Sequence, residues 1–318
     1  MKKIDLIAVP SALGAPDTGV SQGPAALRQA GLLATLQDTG LEADWADTIA
    51  PQPLPPDATE TQRWDALTDL CQRLTRAVGH SRQQDHFPLV IGGDHSIAAG
   101  TWPGVAASVD GPLGLLWLDA HLDAHTREDS ASANPHGMPV ALLIGDGDPR
   151  LAHTTLSPRH ICLVGARSSE LPERVRLERF GVKVFDQADI ARRGLQAVLA
   201  EALSIVSTGT AGFGVSVDID VLDPTEAASV NSPAPGGEPA DTWLMELQGI
   251  AQRPDCLALE IVECDGARSE AAATARLACQ LLAALLGPEK LNWENRDQVP
   301  AASVSPSKPV LSLAKGLS

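Results

Sequence analysis

The chain has 318 residues, 44% hydrophobic, 20% charged and only 3% aromatic, enough apolar mass for a packed core and too much for a disordered polymer. Its 24 Lys and Arg stand against 40 Asp and Glu, and the net charge of -16 argues against nucleic acid and against an anionic membrane surface as partners. No apolar run reaches the roughly 20 residues of a membrane span. Asp5 interrupts the apolar start behind Lys2 and Lys3, no small-residue cleavage site follows, and a cytoplasmic protein is expected. Cys71, Cys162, Cys256, Cys264 and Cys279 are scattered, mostly in apolar runs and without a CxxC pair, which suits reduced core thiols rather than a zinc site.

In chain order, apolar runs at 4–9, 88–91, 113–118, 161–164, 182–185, 213–219 and 256–262 read as strands. They are nearly continuous in apolar residues rather than alternating, as strands buried on both faces of a parallel sheet are. Helical segments lie between them. The stretch 22–36 opens with Gly23-Pro24, and proline suits a first helical turn. Within 60–80, Leu67, Leu70, Leu74 and Val78 share one helical face, and the Ala/Leu-rich 271–286 is a helix. Segment 49–56 is Pro-rich and short, a loop rather than a linker. This alternation predicts a single doubly wound α/β domain over 1–288, with a mostly parallel sheet and helices on both faces. The tail, 289–318, loses periodicity and gathers Pro, Ser and Lys, and is expected to be disordered or to lie at a subunit interface.

Three polar clusters each follow a strand run: Gly92-Gly93-Asp94-His95-Ser96, Asp119-Ala120-His121-Leu122-Asp123-Ala124-His125, and Asp218-Ile219-Asp220-Val221-Leu222-Asp223-Pro224. Ligand sites of open α/β sheets lie at the carboxyl ends of strands, so three such ends can meet in one crevice. Residues two apart on an extended chain face the same way, which would align Asp119, His121 and Asp123, and likewise Asp218 with Asp220. With His95 these make four carboxylates and two imidazoles. Unaccompanied, so many carboxylates would repel one another, whereas two divalent cations would neutralise them. A set of imidazoles and carboxylates without thiolate points to Mn²⁺ rather than structural zinc. A DxHxD or a GGDHS alone could be turn and helix-cap chemistry; three at successive strand ends are not explained that way.

These signatures, GGDHS at 92–96, DAHxD at 119–123 and SxDxDxxDP at 216–224, resemble those of the arginase/agmatinase (ureohydrolase) family. Further similar segments are Gly19-Val20-Ser21-Gln22-Gly23-Pro24 followed by Leu27-Arg28-Gln29-Ala30-Gly31-Leu32, Ser132-Ala133-Asn134-Pro135-His136-Gly137-Met138-Pro139, Gly165-Ala166-Arg167-Ser168-Ser169-Glu170 and Glu260-Ile261-Val262-Glu263, so the likeness runs to about Leu286. It implies an arginase-like fold and a binuclear hydrolase of guanidino compounds with two Mn²⁺ ions. His95, Asp119, Asp123 and Asp218 would hold one ion and His121, Asp119, Asp218 and Asp220 the other, with Asp119 and Asp218 bridging and a shared hydroxide as nucleophile. The resemblance makes His136 the proton shuttle, Asp123 a hydrogen-bond acceptor from the hydroxide, and Glu263 the partner of the guanidinium. Ser132 and Asn134 match the element that contacts a substrate α-carboxylate; His125 stands where arginases carry Asn, Glu170 where the amino-binding acid is usually Asp, and Val230-Asn231-Ser232-Pro233 replaces the family's Gly-Thr-Gly-Thr-Pro. Arginine is therefore the expected substrate, 4-guanidinobutyrate the alternative and agmatine the next. A homotrimer or homohexamer is the family's habit. Two other classes remain: a non-catalytic protein that binds a guanidino ligand, distinguished by saturable binding without product, and a related deacetylase, which would need only one metal and so leaves His95 and Asp220 unexplained.

Overall fold

Strands whose two faces are both covered need no polar alternation, and the apolar runs fold accordingly. In the computed structural model, which describes residues 2–151 and 154–288, β1 (Ile4–Val9), β2 (Ala43–Thr48), β3 (Phe87–Gly92), β4 (Leu113–Leu118), β5 (Ile161–Ala166), β6 (Lys183–Asp186), β7 (Gly212–Asp218) and β8 (Cys256–Val262) form one sheet. Every pairing is parallel, in the order β2-β1-β3-β8-β7-β4-β5-β6. The helices are α1 (Gly23–Gln29), α2 (Leu32–Asp38), α3 (Glu60–Gln83), α4 (Ala98–Ala106), α5 (Pro139–Leu143), α6 (Leu171–Phe180), α7 (Gln187–Arg193), α8 (Leu195–Ser207), α9 (Ala240–Glu246) and α10 (Ala271–Leu286).

Alternate residues of a strand face opposite sides of the sheet, and each side has its own core. Leu113, Leu115 and Trp117 of β4 pack with α3, α4 and α5; Leu116 and Leu118 of the same strand pack with α1, α2, α8 and α10. The predicted doubly wound architecture is therefore present. Chain order also explains where a crevice can open. After β3 the chain crosses to β4, leaving two places between them that β7 and β8 later fill. Such a reversal of winding parts the connections at the carboxyl ends of the central strands.

The structure matches β1, β4, β8 and α10 to the residue and differs from expectation elsewhere. The segment 22–36 is two helices rather than one, broken at Gly31, whose φ of 89° lies in the left-handed region. The edge strand β2 was not expected, because Ala-Asp-Trp-Ala-Asp-Thr carries two acids and is mostly exposed; it is held on one side only, by β1. Helix α3 runs three residues past the expected His80, and starts where expected because Thr59 and Gln62 form a reciprocal cap: Gln62 N–H donates to Thr59 Oγ1 at 3.3 Å and Thr59 N–H to Gln62 Oε1 at 2.8 Å. All five cysteines are buried and unpaired. Segment 49–56 is a loop, and the predicted tail, 289–318, lies outside the described residues. Among the described residues no helix is long and apolar enough to cross a membrane.

Helix α8 lies against β4 so closely that a Cβ on Gly114 would sit 1.8 Å from the carbonyl oxygen of Val206. Since a helix backbone cannot give locally, Gly114→Ala should destabilise the fold by about 1–3 kcal/mol or more, as overpacked cores do. Urea denaturation checks this, and an unchanged midpoint would mean that α8 is not seated on the sheet as described.

Candidate active site

Four adjacent central strands, β3, β8, β7 and β4, bring the polar clusters together at their carboxyl ends. His95 begins the turn after β3, with its backbone N–H donating to Glu263 Oε1 at 2.8 Å. Asp119 follows β4 and continues the ladder through its N–H to Val164 O, at 3.1 Å. Asp218 closes β7, and Asp220 sits one short 3₁₀ turn later, where its N–H donates to Asp218 Oδ1 at 2.8 Å.

All six expected metal-binding side chains converge, though not through the extended alternation expected for them. β4 ends at Leu118 and β7 at Asp218, so most of these residues lie in turns. Asp123 has φ of 48° and Glu263 φ of 65°, left-handed conformations that cost a non-glycine residue on the order of 1–3 kcal/mol. Side-chain-to-backbone bonds, rather than pleating, aim the carboxylates: Asp119 Oδ1 accepts His121 N–H at 2.6 Å and Asp220 Oδ1 accepts Ala120 N–H at 3.1 Å.

Two groups of potential ligands result, His95 with Asp119 and Asp218, and His121 with Asp119 and Asp220, with the ligand atoms of each group lying within 4.8 Å of one another. His95 Nδ1 lies 3.0 Å from Asp123 Oδ2, 3.3 Å from Asp119 Oδ2 and 3.4 Å from Asp218 Oδ2. His121 Nδ1 lies 2.9 Å from Asp220 Oδ2 and 3.6 Å from Asp119 Oδ1. Asp119 thus presents one oxygen to each group. Asp218 presents Oδ2 to the His95 group, and its Oδ1 accepts the N–H of Asp220.

His95 Nδ1, although fully buried, has no hydrogen-bond partner among these close carboxylates. An orphaned imidazole nitrogen among acceptors fits a cation. So does the titration of the set. Burial, then the neighbouring Asp119, pushes Asp123 up to about 7. Burial with Asp220 and Asp119 raises Asp218 far above the carboxylate range, and burial with Asp119 raises Asp220. Burial disfavours the imidazolium of His121, but Asp220 and Asp119 outweigh it and push the ring up to about 12; Asp119, Asp123 and Asp218 likewise raise His95 against its burial. Retained protons thus moderate the repulsion of the acids, and a cation would replace them.

Above this floor opens a cavity of about 330 Å³, into which His121, Asp123, Asp218, Asp220, His136 and Glu263 look. His136 and Glu263, from distant parts of the chain, form one unit: Nδ1 of the ring lies 3.1 Å from Oε1, while Glu263 Oε2 is buried without a partner. Burial opposes the charged ring, but Glu263, Asp123 and Asp94 push His136 up to about 9. The backbone N–H of His136 donates to Gly14 O at 3.1 Å, and Gly14 N–H donates to Asp94 Oδ2 at 3.1 Å, so Asp94 of the GGDHS segment braces the wall rather than joining the cluster.

His125, Ser132 and Glu170 line the outer cavity; Asn134 does not. His125 is enclosed by acids: its Nδ1 lies 3.1 Å from Asp129 Oδ1, and its Nε2 lies 3.3 Å from Glu173 Oε2 and 3.8 Å from Glu170 Oε1. Glu173 is a lining residue that sequence reasoning missed; its position three after Glu170, at the start of a Pro-marked helix, was the available signal. Arg167 was missed as well. Its guanidinium donates to the carbonyls of Asp220 (2.7 Å), Leu222 (2.9 Å) and Val221 (3.0 Å), fastening the turn that carries Asp220. Ser232, from the unusual 230–233 stretch, also lines the cavity, and Val230 bridges to Cys264.

Because ligands must shed protons to bind a cation, adding Mn²⁺ to metal-free protein should release protons and bind more tightly as pH rises through about 7, where Asp123 gives up its own. Calorimetry in buffers of differing ionisation enthalpy reads this directly; binding without proton release would contradict the protonated cluster.

Comparison with known proteins gives a consistent picture. A family model described as "Arginase family" matches residues 2–287. An arginase of Brevibacillus brevis is 35% identical over 297 residues, covering 91% of this chain and 99% of its own. The solved structure of the Bacillus caldovelox arginase superposes with a TM-score of 0.85 at 34% identity, covering 92% of this chain and 100% of that one. A Bacillus subtilis formimidoylglutamase superposes less well, with a TM-score of 0.71 at 25% identity, over 90% of this chain and 86% of that one.

Proposed function

The chain belongs to the arginase family, a family of hydrolases of guanidino C–N bonds, and on that premise we propose that it is a binuclear manganese arginase converting L-arginine and water to L-ornithine and urea. The observation that carries the proposal is Asp119, whose two oxygens face the His95 and His121 groups at the floor of a cavity walled by His136 and Glu263. His95, Asp119, Asp123 and Asp218 would hold one ion and His121, Asp119, Asp218 and Asp220 the other. When bound, the two ions neutralise the acids and acidify a water so that hydroxide is available near neutral pH.

The chain's own residues supply the rest. Glu263 Oε2, buried and without a partner, is the acceptor for a guanidinium N–H, and this charge-assisted bond would orient the substrate over the floor. Glu263 Oε1 holds the Nδ1 side of His136, leaving Nε2 of the ring to deliver a proton to the departing amine. Asp123, beside His95, is placed to accept a hydrogen bond from the attacking water. The enclosed floor keeps bulk water from competing for the same charges.

The outer cavity bears on substrate identity. Glu170 and Glu173 line it, and no Arg or Lys does among the described residues. This favours a substrate tail carrying an ammonium group, which arginine has and 4-guanidinobutyrate lacks. With both nitrogens of His125 turned to acids, the α-carboxylate would rest on hydroxyls such as Ser130 and Ser132. The same acidic wall supports agmatine, cationic at both ends, as the second reading.

Urea release by Mn²⁺-loaded protein across arginine, agmatine and 4-guanidinobutyrate, with His121→Ala as blank, tests the proposal. Arginine should be turned over fastest; a clear preference for agmatine would establish the second reading, and no urea from any of them would overturn both. His136→Ala should lower kcat by roughly 10²–10⁴-fold with little change in KM, as loss of a general acid does. Glu263→Gln, which removes a charge-assisted hydrogen bond, should raise KM by about tenfold to a hundredfold; an unaltered KM would exclude Glu263 as the guanidinium partner.

A further inference from the structure

The one carboxylate within β8 has no part in the reaction as described. Glu260 lies in mid-strand, fully buried, between Leu259 and Ile261 and on the face that carries Ala258 and Val262. Burying a carboxylate is costly unless its oxygens are satisfied, and those of Glu260 are. Thr101 Oγ1 of α4 donates to Oε2, and Ser216 Oγ, its register partner on β7, donates to Oε1 at 2.8 Å. Ser216 Oγ is in turn 2.9 Å from His95 Nε2. Thr101, Ser216, Glu260 and His95 are all fully buried.

Hydrogen counting orients the chain. Thr101 and Ser216 each donate to one oxygen of Glu260, so Glu260 stands as the acceptor and the single hydroxyl hydrogen of Ser216 is committed to it. Ser216 can then meet His95 only with a lone pair, which requires the hydrogen on Nε2. The opposite orientation would need a hydrogen on Glu260 Oε1, the oxygen to which Ser216 Oγ donates. Trp117 adds a second constraint, stacking on the His95 ring (centroids 4.0 Å apart, planes inclined 12°) while its Nε1–H donates to Asp119 Oδ2 at 2.9 Å. Stacking holds the ring plane against tilt, and Nδ1 faces the carboxylates of Asp119, Asp123 and Asp218.

We infer that Glu260, acting through Ser216, is a positioning residue that fixes His95 as the Nε2–H tautomer with Nδ1 as its metal-binding atom. This rests on the two-metal reading above. Outer partners of this kind usually contribute a factor of 10–100 to metal affinity. Because Glu260 reaches only His95, the effect belongs to one ion and not to the other.

The test reads metal binding rather than turnover. Wild type, Ser216→Ala, Glu260→Leu and Thr101→Val are titrated with Mn²⁺ alone by calorimetry, and the ¹⁵N shifts of the His95 ring are recorded on wild type loaded with diamagnetic Zn²⁺. Wild type should bind two ions and show His95 protonated on Nε2 and coordinated through Nδ1. Ser216→Ala and Glu260→Leu should each weaken one of the two sites about 10–100-fold and leave the other unchanged, whereas Thr101→Val, which spares the link to His95, should bind both normally. Two sites of wild-type affinity in Ser216→Ala or Glu260→Leu, or a wild-type His95 protonated on Nδ1, would overturn the inference while leaving the two-metal reading standing. Wild type that binds fewer than two ions would overturn both. The wild-type spectrum decides even where a variant does not fold.

Discussion

Everything in this protein is arranged around four carboxylates that would push one another apart. Asp119, Asp123, Asp218 and Asp220 are all buried, and water, which would screen them at a surface, is largely excluded. The fold answers that repulsion in three ways. Backbone N–H groups at the strand ends bond to individual oxygens, two imidazoles lie against the acids, and protons remain on groups that would be ionised in water. None of these neutralises the acids in full, so the same feature that stresses the site suits it to cations.

The sheet makes such a concentration of charge possible. A strand end offers a backbone free of further ladder pairing, and four such ends stand side by side where β7 and β8 fill the gap between β3 and β4. Behind them lie rigid apolar layers, with Trp117 stacked on His95 and Trp102 packed at Gly214. Strain at Asp123 and Glu263 is supported by this surrounding structure, which determines their backbone more strongly than local preference does. The carboxylates of the outer wall, Glu170 and Glu173, extend the negative field towards the mouth and give the cavity one preferred direction for a cationic guest.

Most of the floor of the site was legible because strand ends announce themselves. A buried strand is an apolar run, so an Asp or His just beyond it is conspicuous, as at Asp94-His95, Asp119 and Asp218. The reason they converge was not legible in the same way. Period-two alternation predicts a shared face only while the chain is extended, yet His121 and Asp123 lie past the end of β4 and Asp220 in a 3₁₀ turn. Local hydrogen bonds produced the alignment for which pleating had been the expected cause. Strand β2 was hidden for the complementary reason, since an edge strand paired on one side exposes its acids and so lacks the apolar run of a central strand.

Sequence by itself determined the fold class, the polar strand ends and the identity of the six side chains at the floor, because burial of whole strands and the chemistry of Asp and His are written into short stretches of chain. Only the tertiary structure decided how those side chains are aimed and what stands behind them. The pairing of His136 with Glu263 spans 127 residues, and the link from His95 through Ser216 to Glu260 joins the turn after β3 to β7 and β8. The enclosure of His125 by Asp129 and Glu173 likewise depends on a helix start meeting a loop. Hydrogen bonds act over about 3 Å, and no spacing along the chain specifies which distant groups will come that close; that is settled when strands and helices pack.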